Sequence, residues 1–189
     1  MEMFRNLRII TGKSMLSAKL TKSTRIIHYT NFSKIKTIGI VWDASNPQDF
    51  PNLLKFYHRM TELKKEVTVF GFFPGKILPD QYIAVQFMTC LKKNEVDFFY
   101  RPVSVEAQNF IKTRFDLLID LNFQKHFTLM YMTTLSEALL KVGLTDLNPE
   151  SSPFDLMISL KTPVGIDNYF EQVIYYLEMI NAEQVRKAV

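Results

Sequence analysis

Short, nearly unbroken apolar runs alternate along this chain with longer stretches of helical period. Thr37-Ile38-Gly39-Ile40-Val41-Trp42, Val67 to Phe73, Phe115-Asp116-Leu117-Leu118-Ile119-Asp120-Leu121 and Phe154-Asp155-Leu156-Met157-Ile158-Ser159-Leu160 carry too few polar positions for strands with one wet face. They predict strands covered on both sides, as in parallel sheets. Lys141 to Leu144 and Val96 to Tyr100 are shorter strand candidates. Leu53, Phe56, Tyr57, Met60 and Leu63 trace a helix, and so do Val105 to Lys112, Phe127 to Ala138, and the face formed by Tyr169, Phe170, Val173, Leu177 and Ile180. Proline fits only the first turn of a helix, so Pro51 puts one start near Asp49 and makes Asp49 its expected cap. Tyr82 to Leu91 fits either period and is assigned to helix.

Strands alternating with helices imply an α/β fold, a three-layer sandwich around a mostly parallel, Rossmann-like sheet. At 189 residues and 47% apolar content, residues 37–189 form one domain with a substantial core. Residues 1–36 differ: Phe4, Leu7, Ile10, Leu16 and Leu20 suggest one or two short amphipathic helices, with Gly12 set against a continuous one. Thr21 to Thr30 reads as extended chain.

Charge sharpens that division. Residues 1–36 hold eight bases against one acid, net +7, while the remainder is net −3. Such an arm, carrying Arg5, Arg8, Lys13, Lys19, Lys22 and Arg25, suits three kinds of partner: RNA or the ribosome, an anionic membrane surface, or the body of its own fold or a neighbouring subunit in a homo-oligomer. Its Arg-bearing, Ser-rich, acid-poor composition is also that of an organelle transit peptide. No apolar run approaches membrane-spanning length, no secretory h-region is evident, and the lone Cys90 cannot form an internal disulfide, which together point to the cytoplasm.

Ligands of open α/β sheets sit beyond the carboxyl ends of the strands, where strand order reverses. That rule singles out the turns from Asp43 to Asp49 and from Asp120 to His126, which offer Asp43, Ser45, Asn46, Asp49, Asp120, Asn122, Lys125 and His126. Asp43, Ser45, Asn46, Asp120 and Asn122 are the candidate ligand-binding set; two nearby carboxylates could share a proton or hold a cation, although Asp, Ser and Asn are equally the preferred helix caps. Asp43 to Pro51 contains no glycine, so NAD or ATP held by a glycine-rich phosphate loop is not expected, and no cofactor is assigned. His28, His58 and His126 are too scattered to predict a metal site, no nucleophile elbow surrounds Ser45, and Cys90 reads as a small core residue.

The basic arm, Ser33-Lys34-Ile35-Lys36-Thr37-Ile38-Gly39-Ile40, Arg101-Pro102, the two Phe-Asp strands, Lys141-Val142-Gly143 and Tyr176-Leu177-Glu178-Met179-Ile180-Asn181 resemble a family of uncharacterised Bacteroidetes proteins, a domain of unknown function. That resemblance implies no activity. The Phe115 strand, its following helix and Lys141-Val142-Gly143-Leu144 also look like the acceptor half of the heptosyltransferase-type glycosyltransferases. Gln48-Asp49 departs from that family's Gly-Asp before its catalytic base, and a partner chain would have to supply the sugar-nucleotide domain. The expectation is therefore a non-enzymatic binding module that engages an anionic partner, RNA or the ribosome, through its arm. The alternatives are a small-ligand protein or enzyme with its site at the sheet's carboxyl edge, and an oligomerising structural protein.

Overall fold

A computed structural model describes residues 2–20, 25–83, 85–145, 152–161 and 163–180. Six strands, β1 (Thr37–Asp43), β2 (Glu66–Phe73), β3 (Met88–Lys92), β4 (Leu117–Leu121), β5 (Lys141–Leu144) and β6 (Leu156–Ile158), form one sheet in the order β3-β2-β1-β4-β5-β6. Every pairing is parallel. Among the described residues the α-helices are α1 (Glu2–Leu20), α2 (Phe50–Glu62), α3 (Asp80–Ile83), α4 (Val105–Lys112), α5 (Phe127–Leu135) and α6 (Ile166–Met179). Strand order reverses between β1 and β4, the two most fully buried strands.

Both faces of the sheet are buried. Ile38, Ile40 and Trp42 pack with Leu53, Phe56 and Met60 of α2 and with Tyr169, Phe170 and Val173 of α6, where Phe56 stacks on Phe170 at 3.7 Å. Val41, Phe70, Phe72 and Leu118 face the other way, onto Phe110 and Ile111 of α4, Leu129 and Met132 of α5, and Leu16 of α1. This two-sided covering is why the strands lack a polar alternation.

The repeated Phe-Asp pair does the same work twice. Asp116 accepts the amides of Lys36 and Thr37 at the start of β1, at 2.8 and 2.9 Å, and Asp155 accepts the amide of Lys141 at the start of β5 at 2.8 Å. In each case the preceding phenylalanine lies over a glycine of the strand so capped. Phe115 covers Gly39 and Phe154 covers Gly143, so closely that a Cβ at either glycine would overlap the ring. The pair is a strand-start clamp, and it lies before β4 and β6 rather than within them.

Two assignments are corrected. Tyr82 to Leu91 is not a helix: α3 ends at Ile83, and Met88–Lys92 pairs with Val69 to Phe73. The free edge of β2 decides the conformation of a run whose own period is ambiguous. Val96 to Tyr100 is not a strand: Asp97 accepts the amides of Phe99 and Arg101 at 2.8 and 2.9 Å, curling the chain into a turn with Tyr100 at φ 58°. Local carboxylate-to-amide bonds of this kind compete with a ladder. Among the described residues, no helix is long and apolar enough to cross a membrane.

The arm also differs from expectation. α1 runs unbroken through Gly12, because a bare Cα there admits Phe127 and the Phe99 carbonyl, which a Cβ would meet at 2.7 and 2.9 Å. Leu16 is buried beside it. Further on, Arg25 pairs with Asp155 and donates to the Ala138 carbonyl at 2.8 Å, while the His28 amide reaches the Leu139 carbonyl at 2.9 Å. Phe32 and Ile35 are core residues. Lys22 and the first part of the extended chain expected from Thr21 to Thr30, residues 21–24, lie outside the described residues.

Candidate functional site

The carboxyl ends of β1 and β4 carry a hydrogen-bonded frame. Asp43, at the end of β1, accepts the Ser45 amide at 3.0 Å and faces His126 Nε2 at 3.5 Å. Burial alone would raise the Asp43 pKa; hydrogen bonds from His126 and Ser45 outweigh it and hold the carboxyl below its usual range. Asn122 shapes the next loop, accepting the His126 amide at 2.7 Å and donating to its carbonyl at 2.9 Å. His126 is thereby fixed as the residue that opens α5. Lys125 adopts φ 55° inside this loop, a strained conformation of the kind that clusters at functional sites.

Asp120 lies deeper. Its carboxylate accepts the Asn122 amide at 2.8 Å and the Thr133 hydroxyl. Burial nevertheless pushes its pKa up to about 6. Asn46 faces the other way, capping a 3-10 turn through the Gln48 amide at 3.2 Å and donating to Asp49 at 3.2 Å. Asp49 precedes α2 without making the cap bond expected of it.

Beside this frame a cleft of about 770 Å³ opens. Its described lining includes Arg5, Ile9 and Lys13 from α1, Ser45 after β1, Phe72 and Pro74 at the end of β2, Lys93 after β3, Tyr100, and Gln124 to Thr128 after β4. Four cations and a histidine converge there, and no described lining residue is Asp or Glu. Among the described residues no ion pair engages Arg5, Lys13 or Lys93. The amino end of α5 opens on the same space, adding the positive end of its dipole.

Three other arm cations contact the body, while Lys34 and Lys36 are exposed. Arg8 donates to the Phe98 carbonyl and lies 4.2 and 4.4 Å above the rings of Phe98 and Tyr100. Lys19 stands 5.5 Å from the Tyr131 ring, and Arg25 is held by Asp155. Meanwhile Phe4, Leu7 and Ile10 are exposed, so α1 docks through Arg8, Ile9, Gly12 and Leu16 and leaves that part of its apolar stripe outward.

Of the five residues expected to bind a ligand, only Ser45 lines the cleft. Asp43 and Asn122 position His126, Asp120 lies beneath, and Asn46 serves the turn before α2. Lys93 and Tyr100 were not expected, because Lys93 follows β3, whose residues up to Leu91 were assigned to helix, and Tyr100 ends the segment assigned to a strand; His126 was legible only as one of several turn residues.

An open, all-parallel α/β sheet in this order, with a cleft at its switch point, is the arrangement in which doubly wound proteins bind ligands. The chain belongs to the family of unknown function DUF6913, which matches residues 8–180. No curated protein and no solved structure matches it.

Proposed function

We propose that this protein binds a small anionic ligand in the cleft between α1 and the carboxyl ends of β1 to β4. The observation that carries the reading is the cleft's lining: four Lys or Arg side chains, His126 and a helix amino end, with no described carboxylate. Cations so placed hold an anion by side-chain charge and do not need a glycine-rich loop. Asp43 keeps His126 oriented toward that space. The arm is then part of the site, with Arg5 and Lys13 as ligand contacts. The hold of the body on Arg8 and Arg25 favours this over RNA or ribosome binding through the arm. The likeness to heptosyltransferase-type acceptor halves supports the site's position and not a sugar transfer. A reducing compartment suits Cys90, so we assign the protein to the cytoplasm. The outward Phe4, Leu7 and Ile10 favour self-association as a separate property of α1, which light scattering on a Leu7→Glu variant would read.

The test is equilibrium dialysis against pyrophosphate at low and high salt. Saturable binding that weakens with salt and is lost in Arg5→Glu/Lys13→Glu is expected; equal retention by that variant would refute the reading.

A further inference from the structure

The outward side of α1 has the spacing of a helix-pairing seam. Phe4, Leu7, Thr11, Ser14 and Ala18 recur at alternating steps of three and four, as in a two-helix coiled coil, and each of them is exposed. Ile10 widens the seam, and Phe4, Leu7 and Ile10 are each more than half exposed. The body is met roughly half a turn away, through Ile9, Gly12 and Leu16. Two copies joined along this seam would therefore hold their bodies apart, on opposite sides of the helix pair.

Polar side chains do not interrupt it. The Thr11 hydroxyl donates to the Leu7 carbonyl at 3.1 Å, and beside the seam the Ser17 hydroxyl donates to the Lys13 carbonyl at 3.1 Å, so both can be covered without stranding a donor. Charge is kept to the other sides of the helix. Arg5 and Lys13 line the cleft, Lys19 stands over Tyr131, and Arg8, at the edge of the seam, is folded over Phe98 and Tyr100. A helix seated on an anionic bilayer sets its bases along the border of its apolar face, at headgroup depth. The bases of α1 lie toward the body instead, which suits a protein partner with an uncharged stripe of its own.

The sizes along the seam specify that partner. Phe4, Leu7 and Ile10 are large and fill its first half, while Thr11, Ser14 and Ala18 are small and fill its second. In a parallel pair bulk meets bulk at one end and leaves a gap at the other. Reversed, the large residues of one helix face the small residues of its partner, and the two axes stay evenly spaced. We infer that α1 pairs with α1 of a second copy of this chain, antiparallel, about a two-fold axis near Ile10 and Thr11. Such a contact is isologous and closes at a dimer. One helix pair about 28 Å long belongs to the small, reversible class of interfaces, under roughly 1,200 Å², so dissociation in the micromolar range is expected.

This inference rests on the self-association favoured above, and it is separate from the anion site, whose described lining does not include Leu7. Light scattering on the full chain across the micromolar range should show the mass rising from one chain to two. Leu7→Glu, at an exposed position, should hold it at one chain with an unchanged thermal melt. Oxidative cross-linking then reads the orientation, with the unaltered chain as the reference for Cys90, a half-buried thiol pushed up to about 12 by burial and slow to react. Thr11→Cys, close to the axis, should cross-link; Phe4→Cys should not, because the two Phe4 positions of an antiparallel pair stand about 20 Å apart, beyond disulfide reach. Cross-linking of Phe4→Cys as readily as Thr11→Cys would overturn the antiparallel arrangement while sparing self-association. A dimer that survives Leu7→Glu would overturn this face as the interface. A mass of one chain at every concentration would overturn the pairing and the self-association together, and retention of that monomer on phosphatidylserine vesicles, lost in Leu7→Glu, would give the face to a lipid surface instead.

Discussion

Replacing Gly12 by alanine tests whether α1 is docked, because docking reverses the sign of the effect. In a helix free of the body, Gly→Ala stabilises by about 1 kcal/mol through lower backbone entropy in the unfolded chain. In the docked helix the new Cβ would stand 2.7 Å from Phe127 Cε1 and 2.9 Å from the Phe99 carbonyl oxygen. The ring can tilt, but the carbonyl belongs to the turn fixed by Asp97 and cannot retreat cheaply. Overpacking of this kind costs roughly 1–3 kcal/mol. The clash therefore outweighs the propensity gain, leaving a net loss of about 1 kcal/mol, or roughly 3 °C in melting temperature for a chain of this size. Urea and thermal unfolding followed by circular dichroism would measure it, with amide exchange across α1 as a local readout. A variant stabilised by about 1 kcal/mol, with α1 amides no less protected, would refute the docking.

Three further outcomes follow from the polar frame. Asp120 has its folded pKa raised from 3.8 to about 6, so the native state holds a proton that the unfolded chain releases; stability should fall as pH rises from about 4 to 6 and then level, a span worth roughly 3 kcal/mol. Asp120→Asn should flatten that slope in urea melts, and an unchanged slope would contradict the assignment. Asp43 has the opposite sign: its lowered pKa stabilises the fold above the unfolded value and is lost on acidification below it, so Asp43→Asn should reduce the loss of stability seen below about pH 4. Asp155→Ala strands the Arg25 guanidinium and the Lys141 amide together and should cost about 3 kcal/mol in a chemical melt, whereas Asp116→Ala, which frees two amides but no charge, should cost about 1–2 kcal/mol.

The central sheet was legible because Ile38 to Trp42, Val67 to Phe73 and Leu117 to Leu121 are apolar on both faces, a pattern that only a covered strand requires. β3 was not, since Met88 to Lys92 mixes a threonine, a cysteine and a lysine and becomes a strand only by pairing with β2. The docking of α1 was hidden for a different reason. Its apolar residues suggest an inward face at Phe4, Leu7 and Ile10, yet the body receives Arg8, Ile9, Gly12 and Leu16 instead. The rings of Phe98, Tyr100 and Phe127 meet Arg8 and Gly12 there, and they leave no trace in the helix's own period. The strand-end rule located the site at Asp43 and Asn122 but could not separate residues that frame the cleft from residues that line it. Lys93 and Tyr100 became visible only once their turns were in place.

The most direct test of the anion site is a two-dimensional amide NMR titration of the full chain with pyrophosphate. The account predicts saturable shifts concentrated at Arg5 to Lys13, Ser45, Lys93, Tyr100 and Gln124 to Thr128. Shifts scattered over cations away from the cleft, such as Lys34, Lys36 and Lys112, or none at the amino end of α5, would contradict it.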